Sequence, residues 1–310
     1  MPSARLGVRL PSTALLAFLT LASSAVRAQT IEDGIMMPGK NLCTGFLYTH
    51  DSWEHYWEGS LKRVNGNIGT ITTESVTWVG NYGITDRLNL IAMVPYVWTN
   101  PSQGVLHGMK GFQDVTVAAK YNLLDTPLTS HGSLRAIVVG SFGAPLSDYT
   151  PDFLPLSIGS ASQSFAGRLT LMFHAKQGWF VHGSGAYTWR GNVTLDRPAY
   201  FTDNQLFTSD EVAMPDVFDY TVSAGYMKPR LQIPISFSQQ ITRGGGDIRR
   251  QDMPFVSNRM NYSKVDALVM YYLPKTRGLA VRVAGRYTVD GRNVGQATTF
   301  TAGLLYTFHF

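Results

Sequence analysis

One pattern recurs along this chain: apolar side chains at every second position, with small, polar or charged residues between them. It is clearest at the C-terminus. There Phe300, Ala302, Leu304, Tyr306, Phe308 and Phe310 share one parity, and Thr299, Thr301, Gly303, Leu305, Thr307 and His309 share the other. Successive side chains of a strand point to opposite faces, so this is a strand with one apolar face. The same alternation runs through Gly278–Asp290, Ser164–Lys176, Trp179–Arg190 and the stretch FQDVTVAAKYNLL, and in less regular form through LQIPISFSQQIT, DYTVSAGYMK, NYSKVDALVMYYL and Arg87–Tyr96. Ser133–Ala144, Asn67–Tyr82 and NLCTGFLYTH alternate more weakly, and they bring the expected number of strands to about twelve. Glu74 shares parity with Val76 and Trp78, which suggests a bulge in that strand.

A soluble β domain and a closed barrel in a membrane both use such strands. The first residues favour export. Arg5 and Arg9 precede an apolar run around Ala14–Ala22, and small residues lead to Val26-Arg27-Ala28. This has the form of a secretory signal peptide over residues 1–28, and its apolar run is shorter than the ~20 residues of a spanning helix. Loss of Arg5, Arg9 and Arg27 lowers Lys plus Arg from 26 to 23 against 21 acids, so the net charge falls from +5 to +2 and implies no nucleic acid. The single cysteine, Cys43, excludes an internal disulfide. An exported chain without helical spans crosses lipid only as a closed barrel, because every backbone group must find a partner inside the protein.

The spacing of the strands points the same way. Short connections at Gly83–Asp86, Asp125–Gly132, Gln177–Gly178, Pro229 and Pro274–Arg277 alternate with long ones at Asp51–Gly66, Thr99–Gly111, Pro145–Gln163, Gly191–Pro215 and Gly244–Ser257, except that Gly291–Gly295, in the place of a long loop, is short. Bacterial outer-membrane barrels have an even strand number, short periplasmic turns and long outer loops. The expected fold is therefore all-β: a transmembrane, antiparallel, up-and-down β-barrel over residues 42–310, with both termini periplasmic. Trp98, Tyr121, Trp179, Tyr187, Trp189, Tyr226 and Tyr287 lie near strand ends with the apolar parity, as girdle aromatics do. Tyr306, Phe308 and Phe310 close a lipid-facing row, the form of a membrane-insertion signal. Residues 29–41 are too mixed for a membrane strand and read as a periplasmic N-terminal segment or a plug.

A narrower resemblance lies in YGITDRLNLIAMVPYV followed by GFQDVTVAAKYNLL. Tyr82-Gly83, Pro95-Tyr96, Gly111, Asp114 and Lys120-Tyr121 resemble the outer-membrane transporter family of the phenol meta-degradation pathway type. The resemblance implies a channel for aromatic or other hydrophobic small molecules and names no particular solute.

The opposite parity collects charge: Arg87, Lys120, Arg135, Arg168, Arg190, Lys264, Arg282 and Arg286, against Glu74, Asp114, Asp219 and Asp266. A cation near mid-depth in lipid costs about 2–4 kcal/mol. Eight would exceed the whole stability of an ordinary domain, roughly 5–15 kcal/mol, so this parity faces the lumen. Asp114 with Lys120, and Lys264 with Asp266, read either as structural pairs or, with Arg168, Arg190, Arg282 and Arg286, as lumen-lining groups at a constriction. Arg282 and Arg286 share one face and form a ladder suited to anionic or polarised aromatic solutes. In the first long loop, Trp53, Tyr56 and Trp57 form a candidate aromatic binding lip, while His50, Asp51, Glu54 and His55 are a weaker metal set whose spacing departs from known zinc motifs.

The expected function is an outer-membrane channel for passive or facilitated uptake of small, aromatic or hydrophobic solutes, without cofactor, metal or catalytic residues. Its partners are then outer-membrane lipid, the barrel-assembly machinery and a small-molecule solute, with no oligomeric state implied. The alternatives are a phospholipase-like hydrolase, for which Ser184 and His182 are the nearest pair, and a purely structural barrel.

Overall fold

The computed structural model describes residues 30–249, 254–276 and 278–310; the expected signal peptide lies outside them. Twelve long strands form the wall. They are β1 (Asn41–Trp53), β2 (Ile71–Thr85), β3 (Leu88–Pro101), β4 (Asp114–Thr129), β5 (Gly132–Pro145) and β6 (Ser164–Ala175). The second half is β7 (Trp179–Arg190), β8 (Asp216–Lys228), β9 (Leu231–Arg243), β10 (Asn261–Tyr272), β11 (Leu279–Arg292) and β12 (Thr298–His309). Each pairs antiparallel with its neighbours in sequence, and β12 returns to β1 with Leu42 opposite Phe308 and Ser52 opposite Thr298. The sheet is closed and has no free edge.

Outward and inward faces follow the alternation. Phe300 is 61% exposed, Leu304 58%, Phe165 60% and Ile235 65%, while Thr170, Asn89 and Lys120 on the other face are fully buried. An outward row of this kind suits lipid, and a one-residue slip would turn every charged side chain into it. Aromatic pairs band both ends. Tyr48–Trp98, Phe142–Phe165 and Tyr187–Trp189 lie towards the long loops, whereas Trp179–Tyr226, Tyr306–Phe308 and Phe308–Phe310 lie towards the short turns.

Both ends of the wall lie at the short-turn end, where Asn41 is opposite both His309 and Gly83. Two local expectations change. Arg87 sits in the exposed two-residue turn between β2 and β3 and is not on the inner face. Glu74 needs no bulge: register runs unbroken from His50↔Glu74 to Glu74↔Trp98. Glu74 is therefore outward, where the Tyr48 hydroxyl and the Trp98 indole N–H (2.7 Å) both donate to its carboxylate. Two donors at the aromatic band satisfy a charge that bare lipid would not.

Candidate functional site: a narrowed lumen and its loop cap

Residues 30–40 lie inside the barrel at the short-turn end. Their path is set by Asp33. One carboxylate oxygen accepts from the Thr30 N–H (2.5 Å) and hydroxyl (3.0 Å), and the other from the Ile35 N–H (3.0 Å). An aspartate closing its own turn in this way is favoured wherever the backbone lacks ladder partners. The turned segment spreads four apolar side chains over three sectors of the inner wall. Ile31 and Met36 cover Ile91, Ala118, Ile137 and Val139; Ile35 packs on Met172, Phe180 and Met227; Met37 packs with Cys43, Met270 and Tyr272. Gly34 passes so close to Met172 that a Cβ there would lie 2.6 Å from the methionine Cβ, so only glycine fits.

The wall holds the segment through polar groups as well. Lys120, with no exposed surface, donates to Asp33 Oδ1 (2.7 Å) and to the Thr30 carbonyl (2.8 Å). Arg135 donates to the Gly34 carbonyl (3.1 Å) and Asn89 to the Met37 carbonyl (3.0 Å).

This arrangement decides where the charged residues stand. Asp114 and Lys120 are not a pair. Six residues apart on β4, they lie at different depths, and Asp114 accepts from Tyr149 (2.5 Å) of the loop at 146–163. Burial, reinforced by the bond to Asp114, pushes the Tyr149 hydroxyl well above the usual phenol range, so it remains a donor and also receives the Ala161 N–H (2.8 Å). Lys264 lies over the Tyr262 ring (4.0 Å) and stands in register beside Ser238 and Thr288, whereas Asp266 stands beside Ser236 and Arg286. Arg168 is held by Asp219 (2.6 Å) and Ser184 (3.0 Å). Arg190 stands at the loop end of β7, beside Asp216, which accepts its backbone N–H (3.0 Å).

Asp266, Arg282 and Arg286 do converge. With Glu32 of the inner segment they line a chamber of about 290 Å³ between that segment and the wall of β6–β11, with Met93 of β3. Apolar side chains complete the lining: Met172, Phe180, Met227, Leu268 and Met270, the last opposite Arg282 in register. Gln232 Nε2 and Arg282 Nε, on two lining residues, have no hydrogen-bond partner among the described residues. Glu32, which sequence reasoning did not single out, adds an acidic group that reduces the positive excess expected of the lumen.

The long loops form a packed cap. Trp53 packs with Ile68, Ile71, Leu106 and Leu156 from three connections, and Val193, Val212, Phe255 and Val256 join two more. Trp57 is 7% exposed and lies against Gly291, so it offers no open face for stacking; Trp53 packs against Gly295. These residues join loops, and Tyr56 lies beside Trp53 (6.2 Å). No group of three or more metal-ligating side chains gathers among the described residues. The Ser184 hydroxyl is engaged by Arg168 and Thr170, and the His182 ring stacks on Phe180.

Known proteins share this fold. The chain resembles the COG4313 outer membrane channel from Pseudomonas putida F1, at 16% identity, with 91% of this chain and 100% of that chain covered and a TM-score of 0.69. The NanC porin aligns over 84% of this chain and 98% of its own at 9% identity and a TM-score of 0.43, too distant to argue from. No curated protein matches the sequence. The family described as "Putative MetA-pathway of phenol degradation" matches residues 63–305, far beyond the stretch that carried the sequence resemblance, and the chain belongs to that family.

Proposed function

We propose that this protein is an outer-membrane channel for small aromatic or hydrophobic solutes, with its short turns and termini on the periplasmic side and residues 30–40 as a plug. The observation that carries the reading is the mixed polar and apolar lining of the chamber beside those residues. Arginines, carboxylates and unpaired donors line it together with methionines and Phe180. Methionine is flexible and polarisable and accommodates rings of varied outline. About eight strands leave a filled interior and sixteen an aqueous channel. A wall of twelve, narrowed by an inner segment, suits selective passage of small solutes. Family membership and the shared barrel fold support an outer-membrane channel.

Uptake into liposomes bearing the purified protein tests the reading. Benzoate-like probes should enter faster than alkyl probes of equal size and much faster than sugars. Arg282→Ala with Arg286→Ala should reduce the preference for anionic rings. Equal rates for all probes would remove the proposed selectivity, and no permeation at all would favour a structural barrel. A hydrolase is less well supported, because Ser184 is engaged by an arginine and a threonine and not by a base.

A further inference from the structure

Two buried donors in the chamber wall have no partner, and the strand register places them relative to each other. Gln232 on β9 is opposite Met270 on β10, and Met270 is opposite Arg282 on β11. All three line the chamber, so they form one inward row at a single depth. Gln232 Nε2 and Arg282 Nε lack a hydrogen bond among the described residues. Gln232 is 6% exposed and Met270 2%. A buried donor left unpaired costs more than a made hydrogen bond returns, so native interiors seldom keep one idle. Here two such donors flank one thioether.

Neighbouring strands are about 4.8 Å apart, so Gln232 and Arg282 leave the wall about 10 Å from each other, with Met270 between. A hydrogen bond at each end takes up about 2.9 Å. The remaining gap suits a ring that carries acceptors at opposite ends. Such a ring lies along the row over Met270, and sulfur against a ring is a favourable contact. Met227, opposite Gln232 on its other side, and Phe180 extend the apolar bed. The chamber, about 290 Å³, is at the small end for ligand pockets and holds about one ring. The β9–β10 ladder is interrupted beside the row: after Gln232↔Met270, register resumes at Ile235↔Ala267. Pro234, which has no N–H to give, lines the chamber at that gap. The two ends differ in chemistry. Asp266 stands opposite Arg286, so Arg282 is not its cross-strand partner, and a guanidinium donates to a carboxylate through charge-assisted bonds. The amide of Gln232 suits a neutral oxygen.

We propose that the chamber binds a single-ring aromatic carboxylate with a second oxygen at the para position, its carboxylate on Arg282 and its far oxygen on Gln232. This rests on the channel reading and narrows its solute class, and the two can fail separately. Calorimetric titration of the full protein in detergent tests it, with 4-hydroxybenzoate, 2-hydroxybenzoate, benzoate and phenol. The para isomer should bind about tenfold more tightly than benzoate or phenol, each of which lacks one end, and the ortho isomer should do no better than benzoate. Gln232→Leu should bring 4-hydroxybenzoate down to the level of benzoate. It should leave benzoate itself unchanged, which also shows that the chamber has kept its shape. Arg282→Gln should weaken both about tenfold, and Arg282→Lys should recover part of the loss. Three results would each overturn the assignment: binding indifferent to ring position, a 4-hydroxybenzoate affinity that Gln232→Leu leaves unaltered or lowers together with that of benzoate, or no saturable binding, in which case water alone satisfies the two donors. Uptake of aromatic probes without para-selective binding sinks the site and spares the channel; para-selective binding without uptake does the reverse.

Discussion

Asn293 holds more of the cap together than any residue the sequence singled out. It has no exposed surface and a φ of 56°, in the left-handed region that asparagine tolerates better than most side chains. Its Oδ1 accepts from the Gly59 N–H (2.7 Å) and the Ile248 N–H (3.2 Å), and its Nδ2 donates to Asp247 (2.8 Å) and the Arg259 carbonyl (2.7 Å). Three connections thus meet on one amide. Asn293→Ala removes four bonds and adds backbone strain, a loss of about 2–4 kcal/mol confined to the cap. Limited proteolysis should show faster cutting near 244–260 while the wall stays resistant, and Asn293→Gly should be milder by the strain alone. Nothing in the run DGRNVG announces this, because the partners are far away in sequence. Glu74 gives the opposite case: its charge counts it with the lumen groups by way of a bulge, although its parity with Val76 and Trp78 points outward, because the donors that satisfy it there, Tyr48 and Trp98, are not visible in the sequence.

Asp247 makes the same junction sensitive to acid. The bonds from Arg292, and after them the bond from Asn293, hold its carboxyl below the ordinary value against the opposing effect of burial. A depressed value in the folded cap means that ionised Asp247 stabilises the cap above the ordinary carboxylate range. That contribution is lost as the pH falls through and below about 4. Proteolysis of the cap should therefore accelerate on acidification, and Asp247→Asn should start high and respond less. An Asp247→Asn protein with the unaltered pH response would show that another group sets it.

At the scale of elements, the inner segment explains a weakness in the sequence pattern. Ser133–Ala144 alternates poorly because Ile137 and Val139, on the inner parity, are covered by Ile31 and Met36. A strand covered on both faces loses its polar side. Local periodicity therefore could not say whether residues 29–41 enter the lumen, since the evidence is divided between two distant stretches. The junction also rests on a buried ion pair, Lys120 with Asp33. Removing one partner of such a pair leaves a buried charge and costs roughly 3–5 kcal/mol, whereas replacing both by apolar groups is often neutral. Asp33→Ala should lower the melting temperature in detergent and raise single-channel conductance as the segment loosens. Lys120→Met combined with Asp33→Ala should recover the melting temperature. If Asp33→Ala left both readings unchanged, the segment would not be held by this pair.

For the whole molecule, strand number, the faces of most residues and the separation of short turns from long loops were legible, because each rests on a period of two or on the length of a connection; Glu74, Arg87 and the short last connection were the exceptions. The lumen charges were legible as a set but not as pairs. Parity puts Lys264 and Asp266 on one face, and only the closed wall shows which opposing residues reach them. The two faces can be separated on a single strand. Ile235, 65% exposed on β9, and Ser236, which lines the chamber, are adjacent in sequence and opposite in direction. In lipid vesicles, Ile235→Arg should cost about 2–4 kcal/mol, read as a lower urea midpoint of unfolding. Ser236→Arg puts the same side chain into the polar lumen, so stability should change less while solute uptake falls. Equal destabilisation by the two would mean that the outward row is not in contact with hydrocarbon, and the membrane assignment would fail with it.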